Sequence, residues 1–386
     1  MKFLHTSDLH IGKKLDGISR LVEQKEVLKE IIDIANSQNV DVVLVAGDVF
    51  DTFIPSSDAE NLFFDFLDGL SNCGKTVVCI SGNHDDADRL SASKALASKR
   101  GIYLCNGNNE FELREFNGIS LERVGKDYLV LNDGKSKVFI ATIPYFGEAP
   151  IGEAVEKDEL FGDRVNKIFN KVFSEKLQDE TGILLTHLFM LGGSKSEGER
   201  DIDLGGVKVI SPCAIPDCCA YTALGHLHKK QVVSTDKNAI YSGSPIQYAY
   251  DEVGLEKSVI TFDIKDGKVE NKQEIELLKG KRLAKLSCIG VESVDALLLC
   301  NLDKYVDLTI ILDRPLTFDE TAELKRKFPN ITKIRLELTT SVDSSGVIGR
   351  KNMTEKELFA EFYKCKYGSM PDEDIMSAYL EIMAEE

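Results

Sequence analysis

Short polar motifs rich in histidine, aspartate and asparagine recur between residues 8 and 228. They read DLH at 8–10, GDVFD at 47–51, GNHDD at 82–86, LLTH at 184–187 and GHLH at 225–228. The chain has only six histidines, and five of them lie in these motifs. Imidazole, carboxylate and amide ligands without a thiolate suit Mn, Fe or Zn better than a structural zinc site or a calcium loop. The motifs therefore predict a metal centre.

The number of these ligands predicts two ions rather than one. Two ions that share a carboxylate would use the whole set, and ions about 3.5–4 Å apart are the usual arrangement for hydrolysing phosphate esters. Taken singly the motifs are weak, because D-x-H arises by chance and GD often forms a plain turn. Their joint occurrence favours a dimetal phosphoesterase. The sixth histidine, His5, lies inside a predicted strand, and we expect it to be structural or to support a ligand.

Predicted strands immediately precede each motif, at 2–7, 40–47, 75–82, 182–187 and 220–225. Apolar residues at helical spacing predict helices at 19–38, 57–70, 88–99 and 160–177. This order predicts a layered α/β sheet, in which ligands bind beyond the carboxyl ends of the strands. Because residues i and i+2 of a strand point the same way, we expect His226 and His228 to project together into the site.

The sequence divides into a long first domain and three shorter segments. Short strands at 101–145 and near 239–243 and 258–264, with a loop at 190–210, complete a domain over 1–270. Alternating strand and helix patterns predict a small α+β domain at 281–340, and 341–352 has linker composition. Residues 353–386 predict two helices with apolar stripes, the first of them beginning with a capping box between Thr354 and Glu357.

Composition limits the classes of function. The net charge of −17 argues against a surface that binds nucleic acid everywhere, but not against a local basic groove. Nine scattered cysteines with no C-x-x-C pair argue against a disulfide framework or a zinc ribbon. No apolar stretch approaches the length of a membrane span, and the amino terminus lacks signal-peptide features. We therefore expect a cytoplasmic protein.

In this order the motifs resemble those of the calcineurin-like metallophosphoesterase superfamily, and more narrowly of its SbcD- and Mre-type nuclease family. The resemblance is strong over 1–260 and looser in the cap-like region and the tail. It implies a layered α/β/β/α sandwich with a small α+β cap domain and a C-terminal helical tail. The segments that carry it are LHTSDLHIGK at 4–13, GDVFD, SGNHD at 81–85, HLFMLGGSKSEGERDIDLGG at 187–206, ALGHLHKKQ at 223–231 and YSGSPIQYAYDE at 241–252.

The resemblance implies a role for each matching residue. Two divalent metal ions, usually Mn²⁺, would be shared through Asp48. His84 would act on the scissile phosphate and the leaving oxygen without being a stable ligand, and Asp85 would orient it. Asp51 is excluded from the catalytic residues, because archaeal and eukaryotic relatives have a histidine at that position. The other ligands implied are Asp8, His10 and His228 for the first ion, and Asn83, His187 and His226 for the second.

The resemblance also implies a substrate and partners. The substrate would be DNA ends, hairpins and single strands, cut as exonuclease and endonuclease in DNA repair and recombination. The chain has no Walker motif, so ATP dependence would come from a partner, an SbcC-type SMC-like ATPase with long coiled coils. The tail helices would dock this partner, or alternatively pack on the chain's own cap. A homodimer within a heterotetramer is expected. Its interface could include Phe63, Phe64, Phe66 and Leu67, or these residues could belong to the hydrophobic core of the chain.

Basic residues near the motifs are candidate phosphate contacts, although each could equally be a solvated surface charge. They are Lys13, Lys14, Arg20, Lys229 and Lys230, together with Lys195 and Arg200.

Two other functions remain open. One is a phosphodiesterase for small molecules or nucleotides, against which the extra domain and tail argue. The other is a scaffold that tethers DNA ends around a vestigial site, against which the full ligand set argues.

Overall fold

A computed structural model describes residues 1–146, 161–196, 209–339 and 354–367, together with 370–372, 375, 376 and 379. The predicted linker at 341–352 lies outside these residues, as do part of the predicted loop at 190–210 and most of the second tail helix. Within the described part, no helix combines the length and the apolar character needed to cross a membrane.

The first 276 residues contribute two β-sheets and a short hairpin, β2–β3. All the strands predicted to precede a motif are present. The strands are β1 Lys2–Thr6, β2 Lys14–Leu15, β3 Ile18–Ser19, β4 Val42–Ala46, β5 Thr76–Ile80, β6 Ile102–Cys105, β7 Glu115–Phe116, β8 Ile119–Gly125, β9 Tyr128–Asn132, β10 Lys137–Ile143, β11 Glu180–His187, β12 Cys219–Gly225, β13 Gln231–Ser234, β14 Ala239–Tyr241, β15 Ser258–Lys265 and β16 Lys268–Glu276.

The two sheets pack face to face over an apolar layer that includes Phe3, Leu44, Ile183 and Tyr221. The first sheet has the order β16-β15-β1-β4-β5-β6, with β1, β4, β5 and β6 parallel. The second has the order β13-β14-β12-β11-β10-β9-β8-β7, with β10, β11, β12 and β14 parallel. Parallel strands end at the same edge of a sheet, so each sheet delivers its motif loops to one edge.

Helices cover the outer faces of both sheets and confirm the predicted α/β/β/α layering. α1 Leu21–Ser37 and α2 Ser57–Asn72 pack on the first sheet, and α5 Phe161–Phe173 packs on the second. On α2, Phe63, Phe66 and Leu67 belong to this core, whereas Phe64 is 45% exposed.

The prediction of a single helix at 88–99 is wrong. The segment forms two short helices, α3 Ala87–Leu90 and α4 Lys94–Ala97, followed by a 3₁₀ turn at Ser98–Arg100. The hydroxyls of Ser91 and Ser98 donate to the main-chain carbonyls of Asp88 and Ala95. Serine hydroxyls that bond to nearby main chain in this way compete with a continuous helix.

The small domain alternates strand and helix as predicted: β17 Leu283–Ile289, α6 Val294–Leu299, β18 Tyr305–Leu312, α7 Phe318–Lys327 and β19 Ile331–Leu338. Its three strands are parallel, and both helices cover one face of the sheet. The predicted boundary at 270 falls inside β16, which pairs with β15 as far as Glu276. The first domain therefore extends to that residue.

The first tail helix, α8 Glu355–Tyr367, begins with the predicted capping box. The main-chain N–H of Thr354 donates to Glu357 at 2.7 Å, and that of Glu357 donates to the Thr354 hydroxyl at 3.4 Å. The ring of Phe359 stacks on that of Tyr379 with 3.9 Å between centroids. The two predicted apolar stripes therefore meet.

Arg20 joins the two domains instead of reaching a surface. Its side chain is fully buried and donates to the carbonyls of Gln247 at 3.0 Å and Lys281 at 3.2 Å. Its guanidinium lies 5.0 Å from the ring centre of Tyr305, whose hydroxyl donates to Glu23 at 2.7 Å. The prediction that Arg20 contacts DNA is therefore corrected, since a residue enclosed in this way cannot meet a phosphate.

Candidate metal centre

The motif loops begin with strained main chain. Asp8, His10, Asp48 and His226 all have positive φ, between 41° and 112°. Cross-loop hydrogen bonds hold two of them, since the N–H of Asp8 donates to Gly47 at 3.0 Å and that of His10 to Asp48 at 3.0 Å. Non-glycine residues persist in this region only where their surroundings hold them, which is common at functional sites. The neighbouring loop therefore helps to hold these residues in their strained conformation.

Asp48 lies at the middle of the cluster and is almost fully buried. Its Oδ2 lies 3.5 Å from Nε2 of His10 and 3.4 Å from Nε2 of His187, while Oδ1 accepts the main-chain N–H of His84 at 2.9 Å. One carboxylate oxygen thus faces histidines from both sheets. This position suits a ligand shared by two ions.

The first group of ligands brings two imidazoles together. Nε2 of His10 lies 3.0 Å from Nε2 of His228. The opposite nitrogens both face carboxylates, with His10 Nδ1 3.4 Å from Asp51 and His228 Nδ1 3.4 Å from Glu252. Protons on the Nδ1 atoms would satisfy those carboxylates and leave two lone pairs facing each other. A cation held by both nitrogens would relieve that repulsion.

The second group centres on Asn83. Its Oδ1 lies 3.0 Å from Nε2 of His187 and 3.1 Å from Nδ1 of His226. Nδ1 of His187 is 2.8 Å from the carbonyl oxygen of Ala46, which fixes the ring. Nε2 of His226 is buried and has no hydrogen-bond partner among the described residues.

His226 and His228 therefore belong to different groups. Both histidines enter the one ligand cluster, as expected. The reason differs from the one expected, because β12 ends at Gly225 and both residues lie beyond the strand, where the positive φ of His226 turns the chain.

The donor set fits divalent metal ions. Three sets of buried side chains could each hold an ion, because within each set the ligating atoms lie within 4.8 Å of one another. The sets are Asp8 with His10 and His228, His10 with Asp48 and His84, and Asp8 with Asp48 and His187. Imidazole and carboxylate together suit Mn, Fe or Zn, as the sequence predicts.

Burial and mutual charge shift the ionisation of these ligands. Burial raises the pKa of Asp8 to about 6, an effect that His187 reduces and Asp48 increases. Burial alone would lower the pKa of His187, but the carboxylates of Asp48 and Asp8 outweigh it and raise that pKa to about 9. Burial opposes the charge on Asp48 too, yet His187 and His10 hold its pKa well below the ordinary value. These opposite shifts favour a protonated His187 beside an ionised Asp48 when no metal is bound.

The ring of His84 is anchored by the GDVFD loop. Its Nδ1 lies 2.8 Å from the carbonyl oxygen of Asp51, which implies a proton on that nitrogen. The ring centre lies 4.7 Å from that of His10, so His84 stands at the edge of the ligand cluster.

Asp85 holds two motif loops together. Its carboxylate accepts main-chain N–H groups from Gly82 at 2.8 Å, Val49 at 3.0 Å and Phe50 at 2.8 Å. The expectation that Asp85 orients His84 is thereby modified. The carbonyl of Asp51 makes the orienting contact, and Asp85 fixes the loop that carries His84.

Sequence reasoning missed several supporting residues. Asp51, excluded on the comparison with relatives, lies beside His10 and accepts from Lys13 at 2.8 Å. Gln24 donates to the carbonyl of His10 at 2.7 Å and to the Tyr248 hydroxyl at 2.9 Å. The signal for Tyr248 and Glu252 was present in the YSGSPIQYAYDE segment, which carries no metal-ligand pattern of its own.

The predicted basic residues differ in their surroundings. Lys14 and Lys229 are exposed, and Lys230 pairs with Glu274. Lys195 lies 5.1 Å from the ring centre of Phe189, and Arg200 falls outside the described residues.

His5 lies between the sheets, away from the ligand cluster. Its Nδ1 is 3.1 Å from the hydroxyl of Tyr221, and burial lowers its pKa to about 3. These surroundings fit the structural or supporting role that the sequence predicts for His5.

Comparison with known proteins gives consistent matches. A family model described as Calcineurin-like phosphoesterase matches residues 1–230. The chain is 33% identical to a Bacillus subtilis protein named as the D subunit of the nuclease SbcCD, over 99% of this chain and 97% of that protein. A Rhodobacter capsulatus protein of the same name is 32% identical over 69% of this chain and 67% of its own length. The solved structure of a dimetal phosphatase from Danio rerio aligns over 72% of this chain and 98% of its own length, with a TM-score of 0.40 and 10% identity.

The shifted pKa values predict how metal affinity depends on pH. Metal ligands must be deprotonated, so binding to the metal-free protein has to displace the proton from His187, whose pKa is about 9. Affinity for Mn²⁺ should therefore rise between pH 7 and pH 9, by about tenfold per pH unit for one displaced proton. Below pH 6 the rise should be steeper, because Asp8 must also lose a proton.

Calorimetric titration with Mn²⁺ in two buffers of different ionisation enthalpy would count these protons. His187→Gln should weaken binding and flatten the dependence above pH 7. An affinity for the wild-type protein that is constant from pH 7 to pH 9 would contradict the assignment of His187.

Proposed function

The chain belongs to the calcineurin-like phosphoesterase family and is a metallophosphoesterase, and on that premise we propose that it is a two-metal DNA nuclease that works with an SbcC-type ATPase. The observation that carries the proposal is the likeness to the Bacillus subtilis nuclease protein, which runs through the cap and the tail as well as the metal centre. A phosphodiesterase for small molecules would need neither addition.

The ligand groups support the proposed metal assignment. The position of Asp48 between histidines of both sheets supports its being shared by two ions, and Mn²⁺ is proposed from the family resemblance among the metals that this donor set suits. When bound, such ions polarise phosphoryl oxygens and lower the pKa of a water molecule. The remaining ligands are Asp8, His10 and His228 for one ion, and Asn83, His187 and His226 for the other.

His84 is proposed to assist departure of the leaving oxygen. Because its Nδ1–H is committed to the carbonyl of Asp51, the ring holds one orientation. In the imidazolium form, protonated on both nitrogens, His84 would donate its Nε2 proton to the leaving oxygen. Asp85 supports this role at a distance, through the main chain of the loop that carries His84.

Replacing His84 tests the proposal. With Mn²⁺, the wild-type protein should cleave single-stranded or hairpin DNA, and His84→Gln should lower the rate by about 10²–10⁴-fold. Its metal content, measured by elemental analysis, should match wild type, because His84 is not proposed as a stable ligand. Full activity in His84→Gln would refute the mechanism.

The same assay separates the alternative functions. Cleavage of bis-p-nitrophenyl phosphate but of no DNA, even with the ATPase present, would favour a small-molecule phosphodiesterase. Binding of DNA ends without any hydrolysis by the metal-loaded protein would favour a tethering scaffold.

A cleft of about 570 Å³ between the two domains is the proposed path for DNA. Its walls carry four basic residues and two acidic ones in a chain of net charge −17. Tyr248, which lies in this wall, has its ring centre 5.6 Å from that of His10, so one residue of the cleft packs directly against the ligand cluster. The charged lining residues are Lys14, Lys285, Lys333, Arg335, Asp16 and Asp307.

Lys14 and Lys285 are the two of these cations best suited to meet phosphates. Arg335 pairs with Asp307 at 2.8 Å and Lys333 with Asp16 at 3.2 Å, whereas Lys14 and Lys285 form no ion pair with a described residue. Lys285→Ala should weaken binding of unrelated DNA sequences alike and reduce the salt slope of log K by about 1.

Lys325→Ala is the matched control, because Lys325 is exposed on α7, which covers the opposite face of the cap sheet. Fluorescence anisotropy at several salt concentrations measures both slopes. Equal slopes for Lys285→Ala and wild type would remove this cleft from the proposal.

The tail is proposed to dock the ATPase partner. Phe362 is 57% exposed and Leu358 is 38% exposed, although Phe359 on the same helix stacks on Tyr379. Exposed apolar residues on a helix pair favour an external helical partner over the chain's own cap. The exposed Phe64 on α2 supports a separate contact between two copies of this chain.

Deletion after Ser345 should abolish co-purification with the ATPase and keep metal-dependent phosphodiesterase activity. Phe362→Asp should weaken the same contact, with Lys356→Ala as the control on an exposed residue of α8. Light scattering would report a heterotetramer for the full complex and a dimer for the truncated nuclease. Unchanged co-purification after the deletion would refute the docking role, and a monomeric nuclease would refute the dimer.

A further inference from the structure

A buried carboxylate stands behind one of the metal-ligand histidines. Oε1 of Glu252 lies 3.4 Å from Nδ1 of His228, the ring nitrogen that points away from the ligand cluster. Glu252 is fully buried, at the end of a 3₁₀ turn spanning Tyr250–Glu252. Nothing in the motif pattern assigns this residue a role.

The main chain holds the Glu252 carboxylate in place. Oε1 also accepts the N–H groups of Tyr248 at 3.2 Å and Ala249 at 3.0 Å. Oε2 accepts from the ammonium group of Lys257. The carboxylate is thus fixed by three donors besides the histidine and has no freedom to swing away from it.

Lys257 connects the carboxylate to the main chain of the histidine itself. Its side chain is 5% exposed, and its ammonium group also donates to the carbonyl of His228 at 2.9 Å and to the Ser244 hydroxyl at 2.9 Å. All three ammonium protons therefore have acceptors. The ammonium compensates the charge of Glu252 and holds the loop at the same time.

The attraction between the two charges does not explain this ion pair by itself. Removing two charges from water costs about as much as their attraction returns, so the charge pairing adds little net stability. The hydrogen bonds to the main chain hold the loop, and the carboxylate also accepts a hydrogen bond from His228. An apolar pair could supply neither.

We propose that Glu252, clamped by Lys257, is a positioning residue that keeps the proton of His228 on Nδ1 and its Nε2 directed at the metal centre. The inference rests on the proposed two-metal function. Carboxylates in this position fix the tautomer of a ligand imidazole and make it a stronger donor, and their loss costs about 10–100-fold in metal affinity.

The effect should fall on one ion more than on the other. His228 is grouped with Asp8 and His10, whereas His187 in the other group is supported by the carbonyl of Ala46. Loss of Glu252 should therefore weaken the ion held by His228 and leave the ion held by His187 and Asn83 less affected.

Metal titration of the metal-free protein tests this assignment. Glu252→Gln should weaken one of two bound Mn²⁺ ions by about 10–100-fold, measured by calorimetry. Because the single variant strands the charge of Lys257, the double variant Glu252→Gln/Lys257→Met removes both charges and keeps similar volumes. It should fold, as judged by circular dichroism, and show the same loss of affinity.

Histidine ¹⁵N chemical shifts of the metal-free protein provide a second measurement. The His228 signals should report a proton on Nδ1 in wild type and a mixture of tautomers in the double variant. Glu274→Gln, at an exposed ion pair with Lys230, is the matched control and should change neither measurement.

The outcomes are distinguishable. A folded double variant that binds both Mn²⁺ ions as wild type does, with an unchanged His228 tautomer, would overturn the role of Glu252. Fewer than two ions bound by the wild-type protein would overturn the proposed two-metal function instead. The tautomer measurement would still decide whether Glu252 positions His228.

Discussion

The site depends on the close approach of two sheets at the carboxyl ends of their strands. A Cβ atom on Gly225 would overlap the carbonyl oxygen of Ala46, and one on Gly82 would overlap the Asp48 side chain. Only glycine permits β12 to meet β4 this closely. That approach brings His187 and His226 of the second sheet to the ligands of the first. Without it, each sheet would present an incomplete set of ligands.

The same approach makes the charges of the cluster interdependent. Asp8 and Asp48 are buried, and neither could stay ionised without the imidazoles that face it. His187 holds a proton against burial because both carboxylates are near. The protein thus stabilises its ligands by mutual compensation, and a cation that binds there takes over the role of the proton on His187.

The sequence allows prediction of the candidate ligands because their types and positions carry a local signal. Asp8, Asp48 and His84 follow buried strands, where such residues have no packing role. The parallel order of the strands then implies that they converge. Arg20 gives no such signal, because its burial depends on the carbonyl of Lys281, which lies 261 residues further along the chain. Glu252 and Lys257 also resemble surface charges in the sequence, and only the folded loop shows them to be buried.

Helix α1 contacts both the metal centre and the cap. On α1, Gln24 holds the carbonyl of His10 and the hydroxyl of Tyr248, while its neighbour Glu23 accepts from Tyr305 of the cap. Arg20, just before the helix, donates to main chain on both sides of the domain junction. The cleft between the domains is bounded by Tyr248 on one side and by the cap sheet on the other. Two adjacent residues of α1 therefore help to set its position relative to His10, together with the hydrogen bond from the Leu283 N–H to Gln247 at 2.7 Å. The spacing between the cap and the ligand cluster thus depends on contacts made within secondary structure and at the domain junction.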